Sequence, residues 1–444
     1  MKTGRIVLAE YFVTGDATLL FIGRDDFEEP QVEEINIAQD ELRQLVTAHF
    51  GAAGQMGEIQ NLDLDKWQAE FGSLVSPLLA WTEEADTIWF VPHDVLHYLP
   101  LHALKLEGRY LIERNAVCYS PSASVMRFCR TKRQNRRERA LVLGDSRSDL
   151  LYAYEESFEV AALFGTRPYL QNEATKTLLK EKLAQTGAEL DILHFSCHGI
   201  FWPDDPLQSS IVLAPENGNA VSASDLEKAD PSQLTAAEIF GLSLHASLIT
   251  LSACETGINE RKPGDELLGL TRSLIYAGTP SVLVSLWSVE ELSTALLMQH
   301  FYTLLHSLPS KEQAEPMTKA EALQSAQLYV KNLTAQQVIN YCNKRLMELG
   351  QVPDAERELG LLLARIRAQT LAGDLRQALA GYQDVQQRLQ GQESVWAKMC
   401  RVEAEQAIAR LKLKLRKPPE INYDMRPFEH IFYWAPFVLV GDWK

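Results

Sequence analysis

The sequence predicts an α/β protein with a mainly parallel sheet flanked by helices, an α/β amino-terminal half and an inserted helical block. Three observations carry that expectation. From Ala140 onward, short apolar runs alternate with amphipathic segments, the pattern of a parallel sheet covered on both faces. Ahead of it, strand-like runs joined by turn residues and followed by a helical stretch form a first α/β unit. From about Thr334 to Lys417 the chain becomes rich in Ala, Gln, Leu, Glu and Arg, the composition of helices.

In chain order, Arg5–Val13 and Thr18–Ile22 read as strands joined by Thr14-Gly15-Asp16, a hairpin. Ala38–His49 reads as a helix and Thr87–Val91 as a strand. The basic run Arg127 to Arg139 reads as a solvated linker closing the first unit. Strands then follow at Ala140–Leu143, Leu190–Cys197, Ser247–Ser252 and Pro280–Leu286. Helices fall between and after them at Ala153–Phe164, Thr175–Gln185, Thr235–Leu242, Asp265–Ala277 and Glu291–His306. Ser209–Leu213, turning at Glu216-Asn217-Gly218, reads as one arm of a hairpin. Gly350, Pro353, Gly373, Gly391 and Pro418-Pro419 punctuate three or four helices in the last region. Two of these, Asp374–Leu389 and Val395–Leu413, have the lengths of a tetratricopeptide-like pair. Phe432–Val440 returns to strand character. The expected division is therefore 1–138, 139–333, 334–420 for the inserted block, and 421–444 for a closing strand.

Composition narrows the function. Hydrophobic residues make up 46% and charged residues 23%, as in ordinary globular proteins. The net charge of −16 argues against direct nucleic-acid binding. No apolar run is long enough for a membrane span, and Met1 to Glu10 lacks the apolar core of a signal peptide. Six scattered cysteines without CxxC pairs read as reduced thiols in a cytoplasm.

Two strand ends hold the chemistry. One strand closes on His194-Phe-Ser-Cys-His198-Gly199 and another on Leu251-Ser-Ala-Cys254-Glu-Thr-Gly257. In a parallel sheet the carboxyl ends of strands collect at one edge, where sites form. There His198 is placed to act as general base for a Cys254 nucleophile, whose thiol near pKa 8.5 needs such a neighbour. Backbone N–H groups at Gly199 and Cys254 are the expected oxyanion donors, and glycine lets a carbonyl approach closely. A metal site built from His194, Cys197, His198 and Cys254 is disfavoured, because strand alternation turns Cys197 away from the two histidines. No cofactor is expected. Trp287 and Trp434 read as core aromatics.

These segments resemble a known family. Leu-Ser-Ala-Cys254-Glu-Thr-Gly, Gly264-Asp-Glu-Leu-Leu-Gly-Leu, Ala277-Gly-Thr-Pro-Ser-Val-Leu-Val-Ser-Leu-Trp287, His194-Phe-Ser-Cys-His198-Gly and Tyr433-Trp-Ala-Pro-Phe-Val-Leu-Val-Gly-Asp-Trp443 are similar to the CHAT domain. That caspase-like peptidase family is often associated with tetratricopeptide repeats and is related to separase. The resemblance spans about residues 5–333 and 425–444. It implies a caspase–haemoglobinase fold, a dyad at His198 and Cys254, and limited proteolysis of a dedicated protein substrate. It also implies latency released by a sensor or partner protein, for example an RNA-guided effector complex in bacterial defence. Asp145, ending a strand at the same edge, and Glu290, after another, are the acids the resemblance points to for a basic substrate residue. The chain departs from the family in lacking an upstream repeat array and in carrying the inserted helices. Those helices become the expected regulatory or docking surface. A scaffold with an idle dyad and a Cys/His acyl transferase are the competing readings.

Overall fold

The computed structural model describes residues 4–50, 59–134, 136–186, 189–200, 202, 205–216, 230–252, 266–307, 316–350 and 355–444. Its strands are β1 (Ile6–Val13), β2 (Thr18–Arg24), β3 (Gln31–Ile35), β4 (Thr87–Val91), β5 (Lys105–Leu106), β6 (Arg109–Tyr110), β7 (Ala116–Tyr119) and β8 (Ala140–Gly144). They continue as β9 (Tyr169–Leu170), β10 (Ile192–Ser196), β11 (Gly199–Ile200), β12 (Ser210–Val212), β13 (Gln233–Thr235), β14 (Leu248–Leu251), β15 (Ser281–Ser285) and β16 (Phe437–Gly441). The helices are α1 (Gln39–Phe50), α2 (Leu64–Phe71), α3 (Ala123–Thr131), α4 (Leu151–Leu163), α5 (Lys176–Thr186), α6 (Ala236–Phe240) and α7 (Glu266–Tyr276). Then come α8 (Glu291–His306), α9 (Lys319–Asn332), α10 (Ala335–Leu349), α11 (Ala355–Leu371), α12 (Leu375–Arg388) and α13 (Val395–Lys414).

Eleven strands join in one sheet, ordered β3-β2-β1-β4-β7-β16-β15-β14-β10-β8-β9. The expected class, α/β with a mainly parallel sheet, helices on it and an inserted helical block, is the one observed. The boundary read near residue 138 interrupts the chain, yet the sheet crosses it without a break. Two parallel sets make up this sheet. β1, β4, β7 and β16 run one way, and β15, β14, β10, β8 and β9 run the other. They meet at one antiparallel seam, where β16 pairs with β15 from Ser281 opposite Gly441 to Ser285 opposite Phe437. The carboxyl edge of the second set therefore gathers the loops after β8, β10, β14 and β15.

Burial explains the strand sequences. β1 alternates, with Val7, Ala9, Tyr11 and Val13 buried, because the hairpin β1–β2 presents one face to the core. β4, β7, β10, β14 and β16 are buried at every position, as strands covered on both faces must be. α4 and α8 pack on each other, and α4 lies over β8 and β10. Glu290 caps α8 by accepting from Ser293 N at 2.7 Å, and Thr318 with Glu321 forms a capping box on α9.

Two expectations change, and a third falls partly outside the described residues. Residues 432–434 belong to a turn of helix, Ile431–Trp434, capped by His430, so the closing strand starts later, at Phe437. The basic run is anchored: Arg133 pairs with the buried Asp442 and lies 4.7 Å from the Trp443 ring, and Arg137 donates to the Met317 carbonyl at 2.8 Å. Lys319, buried, also reaches Asp442 and donates to Ser281 Oγ at 3.0 Å, so a charge cluster pins β16. The turn of the expected hairpin, at Asn217-Gly218, lies outside the described residues; the antiparallel partners of β12 are β11 and β13. Trp287 and Trp434 are buried and donate to the Phe432 and Glu429 carbonyls.

The inserted block is fused to the core on one side. Val338, Ile339, Cys342, Ala364 and Ala368 belong to the same apolar cluster as the sheet. The remainder of α11 with α12 and α13 builds its own cluster around Leu363, Ile366, Tyr382, Val385, Ala404 and Leu411. An ionic seam completes the docking: Arg345 and Arg357 engage Glu155 and Glu159 of α4.

Candidate active site

β10 lies beside β14 in parallel, with Ile192 opposite Leu248 and Phe195 opposite Leu251. Ser252 extends the ladder by donating its N–H to the Phe195 carbonyl at 2.8 Å. Phe195 and Leu251, the last paired residues, each stand three positions before the sequence-expected His198 and Cys254. His198 is described and Cys254 lies outside the described residues.

His198 is 6% exposed. Its Nε2 is 2.7 Å from Asp149 Oδ1, and its backbone carbonyl accepts from Val212 N at 2.9 Å. Nδ1 is buried and has no hydrogen-bond partner among the described residues. A carboxylate at Nε2 holds the imidazole proton there and leaves Nδ1 as the lone-pair nitrogen, the one able to take a proton. Gly199 follows as the first residue of β11, buried and paired with Ile211.

Asp149 was not singled out from the sequence. It sits in the β8–α4 loop, whose shape is set by its neighbour Asp145. Asp145 Oδ1 accepts from the N–H groups of Asp149 at 3.0 Å and Leu150 at 2.9 Å, and Oδ2 accepts from Gln171 Nε2 at 3.3 Å. Asp145 and Ser148 both adopt positive φ, 45° and 58°, conformations that Asp tolerates and that the loop needs to bend so tightly. Ser146 Oγ ties the same loop to the Val212 carbonyl at 2.7 Å, and Arg147 donates to Ser232. At the strand end, a Cβ on Gly144 would stand 2.0 Å from Ser157 Oγ, so only glycine lets β8 lie against α4 there. Burial pushes the Asp145 carboxyl up to about 7.

The two expected pocket acids thus have other partners. Asp145 is 3% exposed and shapes the loop that delivers Asp149. Glu290 caps α8 and lies 3.9 Å from Arg367 of α11. Neither placement supports a direct role opposite a substrate side chain. His194, four residues before His198, is fully buried, with Nε2 2.9 Å from Glu156 and Nδ1 3.2 Å from the Tyr302 hydroxyl. Cys197 points to the Leu143 carbonyl, and burial pushes its thiol up to about 12. No group of three metal-ligating side chains occurs among the described residues. No described helix is long and apolar enough to cross a membrane.

Fold and site together define an α/β domain in which a carboxylate-held histidine stands at the carboxyl edge of a mostly parallel sheet. The chain belongs to the CHAT domain family, whose sequence profile matches residues 69–442, the inserted helices included. Among characterised proteins, tetratricopeptide repeat protein 28 of Mus musculus is 30% identical over 180 residues, covering 34% of this chain and 7% of that protein. The Homo sapiens counterpart is 31% identical over the same length. The chain thus spans 7% of the length of these relatives. Similar solved structures include the Saccharomyces cerevisiae separase–securin complex, at a TM-score of 0.37 and 12% identity, covering 69% of this chain and 20% of that one. The Arg-specific cysteine proteinase gingipain R gives a TM-score of 0.37 and 9% identity, covering 61% of this chain and 64% of its own.

Proposed function

We propose that this chain is a cysteine endopeptidase that cleaves one or a few protein substrates. The observation that carries the reading is the His198–Asp149 pair, with a buried lone-pair nitrogen left over, on a strand in register with the one leading to Cys254. In this mechanism Nδ1 takes the Cys254 thiol proton. The thiolate then attacks the scissile carbonyl carbon, and the oxyanion is met by backbone N–H groups of Gly199 and Cys254. Collapse expels the amine, which leaves with the proton held on His198. Water, deprotonated by the same nitrogen, hydrolyses the thioester and restores the thiol. Asp149 touches no reacting atom; it positions the ring and stabilises the imidazolium formed twice in the cycle.

Family membership supports the peptidase reading. We further propose that activity is released by a sensor or partner protein, such as an effector complex in bacterial defence, and that the chain acts in the cytoplasm. The inserted helices, docked on α4 directly after the Asp149 loop, are the part through which such a partner would act.

The test compares newly formed protein termini in cells carrying the wild-type chain, Cys254→Ala and His198→Ala, with equal folding checked by unfolding curves. Defined cleavage products present only with the wild type are expected. The same products from both variants would remove the peptidase reading. A stable acyl adduct on Cys254 without any cleaved protein would favour acyl transfer instead.

A further inference from the structure

The His198–Asp149 pair joins two elements, the end of β10 and the loop entering α4. A second carboxylate–imidazole pair joins the same two elements inside the core. Seven residues past Asp149, Glu156 lies on α4; four residues before His198, His194 lies on β10. Both steps lead away from the carboxyl edge, so the second pair sits beneath the first. His194 Nε2 is 2.9 Å from Glu156 Oε1, a contact without the straight alignment of a hydrogen bond, and neither atom has another partner among the described residues.

The other ring nitrogen carries the contact onward. His194 stands directly opposite Thr250 of β14 in the parallel ladder, and Tyr302 of α8 sets one hydroxyl over both. Its oxygen is 2.6 Å from Thr250 Oγ1 and 3.2 Å from His194 Nδ1. A phenolic hydroxyl can give one hydrogen bond and accept another, so a single atom serves both strands. Burial pushes the pKa of Tyr302 up, which keeps the proton that this bridge needs. All four side chains are buried. Glu156, His194, Tyr302 and Thr250 thus form one run of polar contacts through the core. It touches the helix that follows the Asp149 loop, the strand that ends on His198 and the strand that leads to Cys254.

Such a run resists sliding. The backbone ladder fixes the register of β10 against β14, but it does not set how far α4 lies along β10. That offset decides whether Asp149 meets His198. Moving α4 would part a buried carboxylate from its imidazole, and moving α8 would take the shared oxygen from His194 and Thr250; buried polar groups lose heavily when a partner is withdrawn. We propose that His194 and Tyr302 are positioning residues for the dyad: they tie the Glu156–His194 pair to β14 and so hold Asp149 at His198, and the histidine's strand against the one leading to Cys254. None of the four side chains touches a reacting atom. The assignment rests on the peptidase reading and deepens it.

The test follows alkylation of Cys254 by iodoacetamide in the full chain across pH, read by mass spectrometry, beside urea unfolding curves of each variant. Tyr302→Phe removes the bridging oxygen and keeps the ring. It should slow labelling near neutral pH roughly three- to tenfold, the scale of one hydrogen bond. The rate profile should shift toward that of a free thiol, about 8.5, and the slowing should vanish above about pH 9.5, where thiolate forms without help. Thr250→Val should repeat this change, and Thr250→Ser, which keeps the hydroxyl, should retain the wild-type profile; this second pair decides the matter if Tyr302→Phe does not fold. Added to Asp149→Asn, Tyr302→Phe should have no further effect on labelling, because it acts through that carboxylate. A bridge that serves only stability would lower the unfolding midpoint in Tyr302→Phe and Thr250→Val and leave both profiles at wild type. That result overturns the positioning role, and if His198→Ala is still slowed it leaves the dyad in place. Full additivity of Tyr302→Phe with Asp149→Asn also overturns it. Wild-type labelling in His198→Ala would remove the dyad, and the positioning role with it.

Discussion

Replacing Asp149 by Asn isolates the contribution of the carboxylate with little change in shape. The contact to His198 is 2.7 Å, and the two side chains are 15% and 8% exposed. At an effective dielectric of about 20, a full imidazolium–carboxylate pair at that distance is worth about 6 kcal/mol before desolvation. Desolvation of both partners takes back much of this, leaving about 1.5–3 kcal/mol, the usual range for hydrogen bonds to charged groups. An Asn in its place can also donate to Nε2 and drive the ring proton onto Nδ1, so the base nitrogen is blocked. The readout is alkylation of Cys254 by iodoacetamide, followed by mass spectrometry across pH, since thiolate supply sets the rate. Background is low. The five described cysteines are all buried, and burial pushes the thiols of Cys129, Cys197, Cys342 and Cys400 up to about 12. Near neutral pH, Asp149→Asn should slow labelling roughly 10- to 150-fold. His198→Ala should slow it comparably, and the double variant should be little slower than either, because both act through one ring. A rate in Asp149→Asn equal to wild type across the pH range, with the fold intact, refutes the role given to this pair.

Two further perturbations report on the frame. Asp145 and Glu291 have folded pKa values of about 7 against ordinary values of 3.8 and 4.5, so between roughly pH 4 and 7 the unfolded chain holds fewer protons than the folded one. Stability should therefore fall as pH rises through that window, by at most about 1.4 kcal/mol per pH unit for each group. Asp145→Asn and Glu291→Gln should each flatten the decline in urea unfolding curves, and an undiminished slope in both would contradict the burial argument. Lys319→Ala leaves the fully buried Asp442 with Arg133 as its one remaining ionic partner among the described residues and should cost about 3 kcal/mol in the same assay; a loss under about 0.5 kcal/mol, the range of ordinary surface substitutions, would show that the cluster does not pin β16.

How much of this was legible in the sequence depends on how local each feature is. β8, β10, β14 and β15 announce themselves as apolar runs between amphipathic helices, and His198 stands out because an apolar strand closes on it. β9, with two residues, is too short to show a period. Asp149 escaped notice for a different reason. The loop carries two aspartates, Asp145 and Asp149, and the one at the strand end looks like the site residue. Which of them faces the histidine is decided by two residues at positive φ and by Gln171 closing on Asp145 from another element, none of which leaves a spacing in the chain. The basic run misled because charge alone does not reveal that Asp442, some three hundred residues away, is buried beside it.

The antiparallel seam also sets an order in time. β16 is the strand that joins the two parallel sets, pairing with β15 on one side and β7 on the other. Each set can assemble from strands nearer to one another in the chain, but they become one sheet when β16, separated from both neighbours by long stretches of sequence, enters between them. Pairing at such long sequence separation is slow. Until it happens β7 and β15 are open edges, each a template for a strand from another molecule. The ion cluster around Asp442 therefore marks the closing step of folding, and its failure should appear first as association between copies.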